Sequence, residues 1–135
     1  MTIERGKAHS PHLSTQVRDF SGLRFNKITP TDIDCSMDFA GRLFIFVEAK
    51  LPQAELPCGQ RLHLQLLTDT IVKGGAYAMA IICEHQNRTG EIDFANCAVL
   101  EYRWKGAWRV PKEPLTVKSI ITQSLSRLPS IILPR

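Results

Sequence analysis

No stretch of this chain stays apolar for the roughly 18 to 20 residues that a membrane-spanning helix requires, and its opening, Met1-Thr2-Ile3-Glu4-Arg5-Gly6-Lys7, is too polar for a secretory signal. A cytoplasmic protein is expected, and the sequon Asn87-Arg88-Thr89 then carries no meaning as a glycosylation site. No C-x-x-C pair occurs. Cys35, Cys58, Cys83 and Cys97 are widely spaced, which excludes a zinc knuckle and a dense disulfide framework and leaves four reduced thiols, most of them acting as small hydrophobes. Internal repeats and low-complexity segments are absent. With 135 residues, 44% of them hydrophobic, the chain suffices for one core, so residues 1–135 are read as a single domain with a frayed arm over 1–12. His9 and His12, on that arm, are not expected to be ligands.

Acid is scarce after residue 100, where Arg103, Lys105, Arg109, Lys112, Lys118, Arg127 and Arg135 face only Glu101 and Glu113. This asymmetry suits a polyanionic partner, and Arg103, Lys105 and Arg109 are the candidate phosphate-binding residues. Trp104 and Trp108 flank the same basic turn, a pattern that could stack on bases, although core packing is the commoner use of tryptophan.

Apolar spacing at Leu13, Val17, Phe20 and Leu23 predicts one short helix or two turns over 13–25. Residues 33–39 and 43–47 around Ala40-Gly41 predict a β-hairpin, and the second arm, apolar at every position, predicts a central strand buried on both faces. The loop containing Pro52 and Pro57 leads to a helix over 59–73, stopped by Gly74-Gly75. A second apolar run over 76–83 then implies a parallel crossover. A strand within 92–104, a turn at Lys105-Gly106, a short return strand over 107–110 and a helix over 116–128 capped by Thr116 complete an α/β pattern.

Acids interrupt this apolar region at Asp32, Asp34, Asp38 and Glu48, and Lys50 follows Glu48 on the same face of its strand. The turn decides which aspartate meets Glu48. A two-residue loop pairs Asp34 with Val47; a three-residue loop over Ala40-Gly41-Arg42 pairs Asp34 with Glu48, and Gly41 favours the latter. Facing carboxylates repel unless a cation lies between them, and a hard divalent ion with oxygen ligands resolves the conflict. Asp38 reads as a solvated residue before the turn, and Asp32 as a turn residue after Pro30.

The stretch Thr31-Asp32-Ile33-Asp34 followed by Arg42-Leu43-Phe44-Ile45-Phe46-Val47-Glu48-Ala49-Lys50 resembles the D…(D/E)-x-K signature of the PD-(D/E)XK, or restriction-endonuclease-like, nuclease superfamily, over about residues 28–86. The resemblance implies a three-layer α/β core with a central mixed sheet flanked by helices. It further implies Mg²⁺-dependent cleavage of DNA, with Mn²⁺ as a substitute, and metal ligation by Asp34, Glu48 and the carbonyl of Ala49. Lys50 would assist the water or the transition-state charge. Gly59-Gln60-Arg61-Leu62-His63-Leu64 is similar to the Q-x-x-x-Y element of the RecB-like branch, with Leu64 in place of tyrosine, and adds Gln60 to the catalytic set.

The literal proline-aspartate pair is missing before Asp34, which keeps Asp32 as an alternative ligand, and His85 lies where a residue at the edge of the site is expected. A histidine-type ββα nuclease is disfavoured, since His85-Gln86-Asn87 lacks paired histidines and a cysteine scaffold. The resemblance also makes a homodimer and a bacterial or phage setting plausible. The competing reading is a catalytically inactive nucleic-acid- or protein-binding module with the same fold.

Overall fold

The computed structural model describes residues 19–87 and 90–128. The chain divides into two units, Met1–Thr31 and Asp32–Arg135. In the first, the described residues form a single 3-10 turn, Ser21–Leu23, opened by Asp19, whose carboxylate accepts from the Ser21 backbone N–H at 2.9 Å. A lone antiparallel bridge joins Phe25 to Ile28. Leu23, Phe25 and Ile28 are exposed, so the part of the helix predicted over 13–25 that can be described is one turn ahead of a bridge. The remainder of that segment, like the arm over 1–12 with His9 and His12, lies outside the described residues.

The second unit is α/β, a five-stranded mixed sheet with two helices. The strands β1 (Cys35–Phe39), β2 (Leu43–Lys50), β3 (Tyr77–Glu84), β4 (Ala98–Trp104) and β5 (Ala107–Arg109) lie side by side in chain order. Only β2 and β3 run parallel, because the helix α1 (Cys58–Lys73) returns the chain to its starting end between them. Every other neighbour is antiparallel; tight turns join β1 to β2 and β4 to β5, and residues 85–97 join β3 to β4. The central position of β2 and β3 explains their sequences. Each has neighbours on both edges and packing on both faces, so neither shows apolar-polar alternation.

One face packs Ile45, Val47, Met79, Ile81 and Cys83 against Val117 and Ile120 of the second helix, α2 (Val117–Arg127). The other packs Phe46, Ala80 and Ile82 against Leu64 of α1. Thr116 caps α2, its side-chain oxygen accepting from the Ser119 N–H at 3.1 Å. The strand expected within 92–104 begins only at Ala98. Ahead of it Asp93 and Asn96 bond to each other, side chain to side chain at 2.6 Å and backbone to backbone at 3.2 Å, closing a 3-10 turn over Phe94–Asn96 that outcompetes the ladder.

Arg103 fastens β4 to α1. It is 8% exposed, and its guanidinium meets the Asp69 carboxylate through two hydrogen bonds of 2.9 and 2.8 Å while also donating to the Gly106 carbonyl at 3.0 Å. Those bonds hold the Asp69 carboxyl below its ordinary value. Removing the partner leaves a buried cation uncompensated, so Asp69→Ala is expected to destabilise the fold by about 2–4 kcal/mol. Thr116→Ala, which removes only a cap, costs about 1 kcal/mol. Urea midpoints at constant m-value measure both, and equal losses in the two variants would contradict this assignment of roles.

Candidate functional site

The β1–β2 hairpin turns through Ala40-Gly41-Arg42. Ala40 and Gly41 both take left-handed φ values, 57° and 70°. The Arg42 N–H donates to the Phe39 carbonyl at 3.0 Å, and the Gly41 N–H donates to Asp38 Oδ1 at 2.6 Å. Asp38 is therefore a turn clasp. The loop has three residues, which sets Phe39 against Leu43 and Cys35 against Val47; the next pair outward is Asp34 opposite Glu48.

At that pair the strand ladder gives way to side-chain bonds. The Asp34 N–H donates to Glu48 Oε1 at 3.1 Å, and Asp34 Oδ2 accepts from the Ala49 N–H at 2.9 Å. Each carboxylate thus has one oxygen tied to backbone, and the two acids confront one another where β1 starts. Asp34 is exposed, whereas Glu48 is only 5% exposed, on the same face as Phe46 and beside Ile82 of β3. Burial, and then the charge of Asp34, push the Glu48 carboxyl from its ordinary 4.5 up to about 7, with a smaller contribution from Asp32.

Lys50, two residues on, projects from the same face, and its Nζ lies 4.0 Å from the Glu84 carboxylate at the matching end of β3. The site therefore sits at the C-terminal ends of the parallel pair, the edge at which open α/β sheets characteristically bind ligands. A cleft of about 450 Å³ adjoins it, walled by Leu56 and Ile82 and rimmed by Lys50, Glu55, Arg61 and Glu101.

Asp34, Glu48, Ala49 and Lys50 thus come together. Asp32 lies close enough to affect Glu48 electrostatically. Gln60 sits half-buried in the first turn of α1, where its backbone N–H bonds the Pro57 carbonyl at 3.0 Å, but it is Arg61 that joins Lys50 on the cleft rim. His85 follows β3 directly. Its N–H donates to the Lys50 carbonyl at 3.0 Å, and among the described residues its buried Nδ1 has no hydrogen-bond partner.

The basic residues expected to contact phosphate do not act as one group. Arg103 is the buried cation held by Asp69, which corrects its reading as a phosphate-facing residue, while Lys105 and Arg109 are exposed. The site features absent from the sequence reading are Arg61, Glu84 and Glu101. Arg61 bonds Glu101 at 2.9 and 3.2 Å, and its guanidinium lies 4.4 Å from the centroid of the Trp108 ring. The partners are 40 residues apart, so only the Arg61 next to Gln60 was within reach of a motif search. Both tryptophans are packed, Trp104 stacked on Tyr77 and Trp108 donating from Nε1 to Gln65 at 3.2 Å.

Among the described residues, no three His, Cys, Asp or Glu side chains converge to hold a metal. Comparison with protein-family models, curated proteins and solved structures finds no match to this chain.

The position of Glu48 has a signed consequence for stability. Below about pH 4.5 the carboxyl is protonated folded and unfolded alike, and its burial costs nothing. Between 4.5 and about 7 only the folded state keeps the proton, so stability falls as the pH rises, and above 7 the whole penalty is present. The expected loss is on the order of 2–3 kcal/mol across this window. Glu48→Gln should flatten that slope and be the more stable protein at pH 8. Denaturant titrations at a series of pH values test this, and parallel profiles for the two proteins would refute the buried-acid account.

Proposed function

We propose that this chain is a Mg²⁺-dependent nuclease acting on DNA, with the three-layer core of the restriction-endonuclease-like superfamily. The observation that carries the reading is the confrontation of the Asp34 and Glu48 carboxylates across the hairpin, with the Lys50 ammonium one step further along the same face. The order hairpin, helix, parallel strand supports it, as does a helix packed on each face of the sheet.

The residues fit a hard divalent cation. Two facing carboxylates make a donor set of the kind Mg²⁺ uses, since that ion keeps several waters and takes one or two carboxylates plus substrate phosphate. The raised Glu48 carboxyl is a charge conflict awaiting a cation. Asp34 and Glu48 would hold the ion, with Ala49 supplying a backbone oxygen and Asp32 as the reserve ligand. When bound, the metal supplies an activated water and neutralises charge on the phosphate.

The chain's own residues do the rest. Asp34 is oriented by the Ala49 N–H, and Glu48 by the Asp34 N–H, so both acids are set before substrate arrives. Lys50, restrained by Glu84, offers a positive charge to the developing negative charge or orients the attacking water. Gln60 and His85 would act as secondary contacts. The second reading, a binding module without activity, is favoured by the ion pair that engages Lys50 and differs in one measurable respect, namely cleavage.

Asp34→Asn and Glu48→Gln are each expected to abolish cleavage of plasmid and single-stranded DNA in Mg²⁺ or Mn²⁺. Lys50→Ala should slow it about 10²–10³-fold while leaving Mg²⁺ affinity intact by calorimetry, and Asp32→Asn should change little. Millimolar Mg²⁺ should also raise the melting temperature of the native protein at pH 8, by linkage, and not that of Glu48→Gln. A native protein that binds nucleic acid but cleaves neither DNA nor RNA in either metal is the inactive module. An inactive Asp32 variant beside an active Asp34 variant transfers the ligand role to Asp32.

A further inference from the structure

The face of the sheet opposite Glu48 carries a second cleft, about 410 Å³, between β4, β5 and α2. Strand alternation assembles it. Arg103 points to α1, so Tyr102 and Trp104 point to α2, and Arg109, paired with Tyr102 across the ladder, shares their side. Lys105 enters from the β4–β5 turn, Arg127 from the last turn of α2, and buried Met79 lines the interior.

Three properties of this cleft coincide. Its lining includes, among the described residues, three cations and no carboxylate. Among the described residues none of Lys105, Arg109 or Arg127 forms an ion pair, whereas Lys50, Arg61 and Arg103 each do. Its walls include two aromatic rings, one of them, Trp104, held by stacking on Tyr77 at 5.8 Å. Arg109 is aimed as well, its Nε donating to the Trp104 carbonyl at 3.0 Å so that its stem is fixed across the turn.

Lys105 supplies a further observation. It takes a left-handed φ of 50°, followed by Gly106 at 80°, in the two-residue turn that joins Trp104 to Ala107. Asparagine or glycine suits that position, and a lysine there is less comfortable. The turn gives up local stability and places an ammonium at the mouth of the cleft.

The geometry points to a binding site for a nucleoside phosphate unit, free or within a single strand, with the phosphate on Lys105, Arg109 and Arg127 and the base against Tyr102 and Trp104. The chemistry requires both halves. Cations without acids select an anion, and aromatic walls select a flat ring attached to it, with Gln123 and Ser124 as polar neighbours. The assignment stands apart from the proposed cleavage, since it uses none of the residues on the opposite face.

The test uses the full chain in chelator, with no cleavage measured. Thymidine 5′-monophosphate, thymidine, inorganic phosphate and short oligothymidylate are titrated by calorimetry, and labelled oligothymidylate also by anisotropy at several salt concentrations. The nucleotide or the oligonucleotide should bind at least about tenfold more tightly than thymidine or phosphate alone; preference for one of the two identifies the source of the ligand. Lys105→Asn should weaken that binding severalfold while leaving the melting temperature equal or higher, a combination a structural turn residue would not produce. Arg109→Gln with Arg127→Gln should weaken it about tenfold and reduce the salt slope on the oligonucleotide by about 1. Phosphate binding as tightly as the nucleotide, or an unchanged affinity in these variants, overturns the assignment.

Discussion

A three-residue turn carries much of this structure. The left-handed backbone at Ala40 and Gly41, clasped by Asp38, fixes the alignment of β1 on β2, and one residue of slip would send every side chain of β1 to the other face. In the observed register Cys35 and Phe39 join the core beneath α2, while Asp34 meets Glu48. Core and acid pair therefore answer to the same constraint. A shift that placed Asp34 across from Val47 would bury a carboxylate in the apolar layer and strand Glu48 without its backbone donor.

Around that register the molecule accepts a local conflict. A strand built of Leu43, Phe44, Ile45, Phe46 and Val47 ends by burying Glu48, next to a second carboxylate and against Ile82. Hydrophobic burial along β2 and β3 supplies the stability that makes this tolerable. The acid accepts a backbone hydrogen bond from Asp34, and among the described residues it forms no ion pair, the Lys50 ammonium being engaged with Glu84. Such a group costs folding energy where folding alone would place a leucine, the kind of local inconsistency that functional sites display.

The two faces of the sheet use basic side chains differently. Beneath α1, Arg103 and Arg61 are neutralised by Asp69 and Glu101 and lie 5.8 and 4.4 Å from the Trp108 ring centroid, so positive charge there serves to tie the helix to the sheet. Beneath α2, Lys105, Arg109 and Arg127 collect around Tyr102 and Trp104 with no acid among the described lining residues. Strand alternation separates Arg103 from Arg109, and the placement of α2 brings Arg127 to the second group. Adjacent residues of one strand look in opposite directions, so a basic run in sequence becomes two unrelated surfaces in space.

Much of the architecture was legible in the sequence because it is written in short-range pattern. The unbroken apolar runs of β2 and β3, the glycines after α1, Thr116 ahead of α2 and the Lys105-Gly106 turn each act over a few residues, and each appears close to its expected bounds, with β2 running three residues past Val47 to Lys50. Asp93 and Asn96 were legible as well, had their mutual bonding been weighed against strand propensity. The meeting of Asp34 with Glu48 was half-determined, since composition allowed two registers and the turn selected one. Tertiary structure alone decided that Arg103 is buried on Asp69, that Arg61 shares a cleft with Lys50, and that Arg127 joins Lys105 and Arg109. Those pairings depend on where a helix lies over a sheet, and the chain between the partners, 34 residues from Asp69 to Arg103, carries no local signal of it.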